Sequence, residues 1–125
     1  MASTRLTRTP STAGDQQTFT VSAWVKRAAL GGHAIFAAGT NSTTNGYFTI
    51  YFSSDALRVR FYESSAKDVV TSALYRDTSA WYHVVVKVDT TQATAADRVI
   101  IYVNGEEQDK ASATYVSQNF NTSVN

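Results

Sequence analysis

The segment Trp81 to Glu107, WYHVVVKVDTTQATAADRVIIYVNGEE, limits what this chain can fold into more than any other. Val84, Val86 and Val88 alternate with Val85 and Lys87, and Val99, Ile101 and Val103 alternate with Ile100 and Tyr102. A period of two in β-branched and aromatic residues marks pleated strands with one buried face. Asn104-Gly105 follows the second run. Both central positions of a type I′ turn need positive φ, which Asn and Gly tolerate, so this dipeptide predicts a tight hairpin.

The same period runs through the rest of the chain. In Phe19 to Lys26, Phe19, Val21, Ala23 and Val25 share one face, and Thr20, Ser22, Trp24 and Lys26 the other. Gly31-Gly32 breaks the chain before a short apolar strand, Ala34 to Ala38. Tyr47 to Ser53 and Ala56 to Tyr62 read as paired strands joined at Ser53-Ser54-Asp55, and Val69 to Leu74 and Gln108 to Thr114 as further strands. Helix-period segments are missing, and the single proline is Pro10. Short strands separated by turn signals predict an all-β, antiparallel sandwich of jelly-roll type. Residues 1–17 read as an extended N-terminal arm and 18–125 as one sandwich domain. The expected core takes Phe19, Val21, Ala23 and Val25 from the first strand, then Phe48, Ile50, Phe52, Leu57, Val59 and Phe61. The signature region adds Val84, Val86, Val88, Val99, Ile101 and Val103.

Composition excludes several functions. A net charge of +1 gives no electrostatic footprint for nucleic acid or an anionic membrane. Without cysteine there is no disulfide and no thiolate metal site. No apolar run approaches the roughly 20 residues of a membrane-spanning helix, so membrane insertion is not expected. The Thr- and Ser-rich start lacks the apolar stretch of a secretion signal. Synthesis in the cytoplasm is expected, followed by retention or export in an assembled particle.

Several motifs in order carry a family resemblance: FTVSAWVKR at Phe19 to Arg27, IFAAG at Ile35 to Gly39, YFTIYF at Tyr47 to Phe52, and Trp81 to Gly105. Together they resemble the concanavalin A-like lectin/glucanase superfamily in its laminin G-like form. RLTRTPSTAGD at Arg5 to Asp15 and SALYRDTSAWYH at Ser72 to His83 look like laminin G-like domains in structural proteins of tailed bacteriophages. The resemblance implies a capsid decoration, fibre or appendage protein of a virion, non-enzymatic, whose partners are other virion proteins or copies of itself. The alternative it implies is a lectin-like module that binds host surface glycans. Family members usually add two more strands, the last lying beside the first. The tail Tyr115 to Asn125 has no strand pattern, so the expected jelly roll lacks its last strands. A fragment, a shortened fold and a gap filled by another chain all fit that pattern. The exposed edge is expected to meet a neighbouring subunit or to be covered by the arm with Arg5 and Arg8.

Catalytic chemistry finds little footing. Glycoside hydrolysis needs two positioned carboxylates. Glu63 stands alone, and adjacent Glu106 and Glu107 point to opposite faces of a strand. His33 and His83 are the only histidines, and His83 reads as a hydrogen-bonding or solvent-facing residue. No cofactor is expected. A calcium site would have to come from Asp55, Asp68, Asp77 and Asn45, which form no ligand run. Trp24 is expected to pack under a loop or neighbouring sheet, and Trp81 to plug one end of the sandwich. Tyr51, Arg58, Arg60, Tyr62 and Tyr102 alternate against core residues and form the candidate glycan- or partner-binding surface. Tyr stacks on sugar rings and Arg donates to hydroxyls. The same residues suit a protein interface or a plain sheet surface.

Overall fold

The computed structural model describes residues 9, 11–12 and 14–124. Most of the predicted arm, with Leu6, Arg5 and Arg8, lies outside the described residues. Among the described residues nine strands form: β1 (Thr18–Lys26), β2 (His33–Ala38), β3 (Phe48–Ser53), β4 (Ala56–Glu63), β5 (Ser65–Leu74), β6 (Trp81–Asp89), β7 (Val99–Val103), β8 (Glu106–Glu107) and β9 (Lys110–Ala113). They build two antiparallel sheets, ordered β1-β6-β7-β8 and β2-β3-β4-β5-β9. The architecture is a β-sandwich of the jelly-roll kind. Among the described residues no helix is long and apolar enough to cross a membrane.

Register follows the alternation. Val21 lies opposite Val86, and Val86 opposite Ile101, so the apolar set of three strands falls on one face. Phe48, Ile50 and Phe52 pair with Phe61, Val59 and Leu57 on the facing sheet. All of these except Val21 are buried, and each such side chain contributes about 1.5–3 kcal/mol relative to exposure. Asn104 (φ 53°) and Gly105 (φ 84°) make the predicted type I′ hairpin between β7 and β8. Ser54 (φ 49°) and Asp55 (φ 65°) make a similar turn between β3 and β4 without a glycine.

The core departs from expectation at β1. Phe19, Val21, Ala23 and Val25 point inward but stay only half-buried, because among the described residues β1 is the edge strand of its sheet. The tail fills part of the core instead. Val116 and Phe120 are buried without belonging to any strand. The connection between β6 and β7 ends in a short 3₁₀ helix, Ala95–Arg98. There the buried Arg98 donates to the Gln92, Ala93 and Val116 carbonyls and pins loop to tail. Gln16 and Gln17, counted with the arm, are held by that tail: the Gln16 carbonyl accepts from the Thr122 N–H at 3.1 Å, and Gln17 Nε2 donates to the Asn119 carbonyl at 2.9 Å.

Candidate functional site

Three surfaces carry groups that can bind something. The first is the outer face of β3 and β4. Tyr51 lies opposite Arg58 and Thr49 opposite Arg60, with Asp68 across from Arg60 on β5. Arg60 grips Asp68 with two bonds, Nε to Oδ1 at 2.6 Å and Nη2 to Oδ2 at 2.8 Å. This pairing holds the guanidinium more firmly charged than an isolated arginine. Arg58 reaches the same carboxylate at 3.4 Å. Both guanidinium groups lie over the Tyr51 ring, at 5.9 and 5.6 Å from its centre, within cation–π range. Beside them Gly32, His33, Ala34, Ser42, Tyr47 and Thr49, together with Tyr51 and Arg60, line a depression of about 340 Å³.

Tyr51, Arg58 and Arg60 therefore come together, and Tyr62 follows on the same face of β4. Tyr102 does not join them. It sits on β7, on the outer face of the other sheet, opposite Val85 and Glu107. Alternation shows which residues leave the core but not which sheet a strand joins, and β7 pairs with β6 rather than with β4.

The second surface is that other outer face. Trp24 on β1 stacks on His83 of β6, with ring centres 4.8 Å apart and planes 24° from parallel. Ser22 Oγ lies 3.0 Å from His83 Nε2, and the His83 N–H donates to Asn104 Oδ1 at the hairpin. His83 thus hydrogen-bonds its neighbouring strand, as its sequence context suggests. Trp81 lies diagonally beyond, opposite Lys26. Both tryptophans break the expectation of burial: Trp24 is 66% exposed and Trp81 57%. With β6 inside its sheet, between β1 and β7, their positions face away from the facing sheet. Val85, Tyr102 and Ile100 extend the patch across β6 and β7. Sequence reasoning places Trp24 off the core face of β1, yet assigns it a cover that the described residues do not supply.

The third surface is the slot between the edges of β1 and β2. Two cavities open along it. One, about 510 Å³, is bounded by Trp24, Val25, Arg27, Ile35, Phe52 and Trp81. The other, about 400 Å³, is bounded by Phe19, Val21, Ile35, Phe36 and Val124.

The remaining candidates have structural partners. Asp55 pairs with the buried Arg27 at 3.1 Å and with Arg76 at 3.2 Å. Asp77 accepts from the Ser79 hydroxyl and N–H in its own turn. The Glu63 carboxylate accepts from the Ser117 N–H at 2.9 Å and so clamps the tail. Among the described residues no three His, Asp or Glu side chains converge as a metal site would require. Ser22 and His83 make contact, but His83 has no carboxylate hydrogen-bonded to its second nitrogen among the described residues. The third member of a nucleophilic triad is therefore not in place.

Sequence comparison adds one finding. A profile of the concanavalin A-like lectin/glucanases superfamily, in its laminin G-like form, matches residues 2–125. No curated protein and no solved structure matches the chain.

Proposed function

From the premise that the chain belongs to the concanavalin A-like lectin/glucanases superfamily, we propose that it is a non-enzymatic assembly module, a structural part of a bacteriophage virion. Domains of this superfamily are generally binding modules, with some glycosidases among them, so the division between binding and catalysis has to come from the site. The exposed Trp24–His83–Trp81 face carries the assembly reading. Apolar aromatic area of this kind, next to Tyr102 and rimmed by Lys26 and Lys87, has the composition of a protein interface, rich in Trp and Tyr and poor in acids. The phage context rests on the sequence character of Arg5 to Asp15 and Ser72 to His83. Its partners are copies of itself or other virion proteins, and its location is the virion.

Sedimentation velocity over a micromolar concentration series, with a thermal melt on the same sample, tests this. Self-association is expected, and Trp24→Ser with Trp81→Ser should weaken it at least about tenfold, the scale of a central aromatic anchor. A monomer at every concentration, unchanged by the double substitution, would sink the self-assembly reading.

A second reading rests on a different observation, the depression beside Tyr51 and Arg60. It suits a host glycan, because tyrosine rings flank it and Arg60 Nη1 has no partner among the described residues. Titration with host polysaccharide should saturate and lose about tenfold in affinity on Tyr51→Ala. Loss of sugar response with Trp24→Ser but not with Tyr51→Ala would move the site to the other face.

A further inference from the structure

We propose that the depression on the outer face of β2, β3 and β4 takes the carboxylate of an acidic sugar, such as a uronic acid. Resting on the glycan reading of this depression, the proposal adds the chemical class of the sugar.

The charges beside the depression do not balance. Arg58 and Arg60 share a single carboxylate, that of Asp68, so the cluster keeps one positive charge. Arg60 is the one Lys, Arg, Asp or Glu among the lining residues. The described residues thus set a cation in the wall and no carboxylate. Such a site favours an anionic ligand over a neutral one of the same shape.

Arg60 is also oriented for the task. Asp68 takes its Nε and Nη2 at 2.6 and 2.8 Å, which fixes the guanidinium plane. Nη1 and the second hydrogen of Nη2 have no partner among the described residues. These form the end-on edge of the group, and a planar carboxylate accepts from both at once. The side chain is 31% exposed, so water and salt screen its charge only in part.

The rest of the wall suits a sugar ring. Tyr47 and Tyr51 supply aromatic faces for its C–H surface. The Ser42 hydroxyl and the His33 imidazole have no hydrogen-bond partner among the described residues, which leaves them for sugar hydroxyls. The loop carrying Ser42 and Tyr47 is set in advance. The Asn41 carbonyl accepts from the Thr44 N–H at 2.9 Å, the Thr44 carbonyl from the Tyr47 N–H at 3.0 Å, and the Tyr62 carbonyl from the Gly46 N–H at 3.0 Å. A wall already ordered loses less freedom on binding.

The anion has to come from elsewhere. Residues 1–8, 10, 13 and 125, which lie outside the described ones, include Arg5 and Arg8 and no Asp or Glu. A sugar fits better than an acidic peptide, because the depression lies on a sheet face. The backbone groups of β3 beneath it are engaged in ladders to β2 and β4, so a peptide main chain finds no edge to pair with.

The test is calorimetric titration of the chain with tetragalacturonate and with its methyl ester, which keeps the rings and linkages and removes the charge. Sialyllactose and its methyl ester make a second pair. At least one acid is expected to saturate and to bind at least about tenfold tighter than its ester. Raising NaCl from about 50 to about 500 mM should weaken the acid several-fold and leave the ester level. Arg60→Gln should erase the difference between acid and ester, whereas Tyr51→Ala should weaken both alike. A thermal melt shows that each variant folds, and the acid–ester comparison on the unaltered chain needs no variant. Equal binding of acid and ester overturns the proposal while the glycan reading stands. No binding in either pair also overturns it, and the host-polysaccharide titration then decides the glycan reading by itself. Tetraglutamate binding as tightly as the acidic sugar would make the ligand a peptide, and acetate binding as tightly would make it a free carboxylate; either result overturns the proposal.

Discussion

Arg27 joins several separate parts of the fold. Its side chain is 1% exposed, lies over the Phe52 ring at 4.5 Å and joins the β3–β4 turn to Gly31 and Tyr75. Asp55, the turn residue it pairs with, stands at positive φ without being glycine, a conformation costing about 1 kcal/mol that needs such support. Arg27→Met should therefore destabilise the fold by on the order of 3 kcal/mol, since it leaves the Gly31 and Tyr75 carbonyls without their donor and Asp55 with Arg76 alone; urea unfolding measures it. The FTVSAWVKR motif contains this arginine, but nothing in a strand-end Arg reveals that its partners lie 28 and 48 residues away. Three carboxylates set the acid limit. Asp55 is held below the ordinary carboxylate value first by its bond from Arg76, Asp77 by the Ser79 hydroxyl, and Asp89 by the Thr91 hydroxyl. Depressed carboxylates lend stability above the unfolded value and lose it as pH falls through the folded one. Tm should stay level down to about pH 4 and then drop, and Asp89→Asn should make that drop shallower.

Among the elements, the tail shows how a segment with no strand pattern can still be structural. Residues 114–124 make no regular ladder, yet the Ser123 N–H donates to the Gly46 carbonyl at 2.7 Å and the Thr90 hydroxyl to the Phe120 carbonyl at 2.8 Å. Gly46 has φ +92°, and a Cβ there would meet Ser123 Oγ at 2.9 Å. Gly46→Ala should cost roughly 1–3 kcal/mol and speed amide exchange at Ser123 and Val124 while β6 and β7 stay protected. Periodicity reads ladders, so it found the long strands and the Asn104-Gly105 turn. It could not find contacts that single hydroxyls and carbonyls make across the chain. The glycine-free turn at Ser54-Asp55 was legible as a joint but not as a strained one.

For the whole molecule, the alternation separated inside from outside with few exceptions, and the exceptions cluster on one side. Phe19, Val21 and Val25 have the pattern of core residues and only half the burial, because pattern reports a strand's faces and not what lies beyond its edge. Sheet membership was equally hidden, which is why Tyr102 was grouped with Tyr51 and Arg60 but lies on the opposite side of the sandwich. The same geometry has an optical consequence. The chain has two tryptophans, both on the outer face of one sheet and both more than half exposed. Its indole emission thus arises entirely from that face and is silent about the core. Any partner that covers the face should shift the emission to the blue, so the unlabelled protein carries its own reporter of contact there.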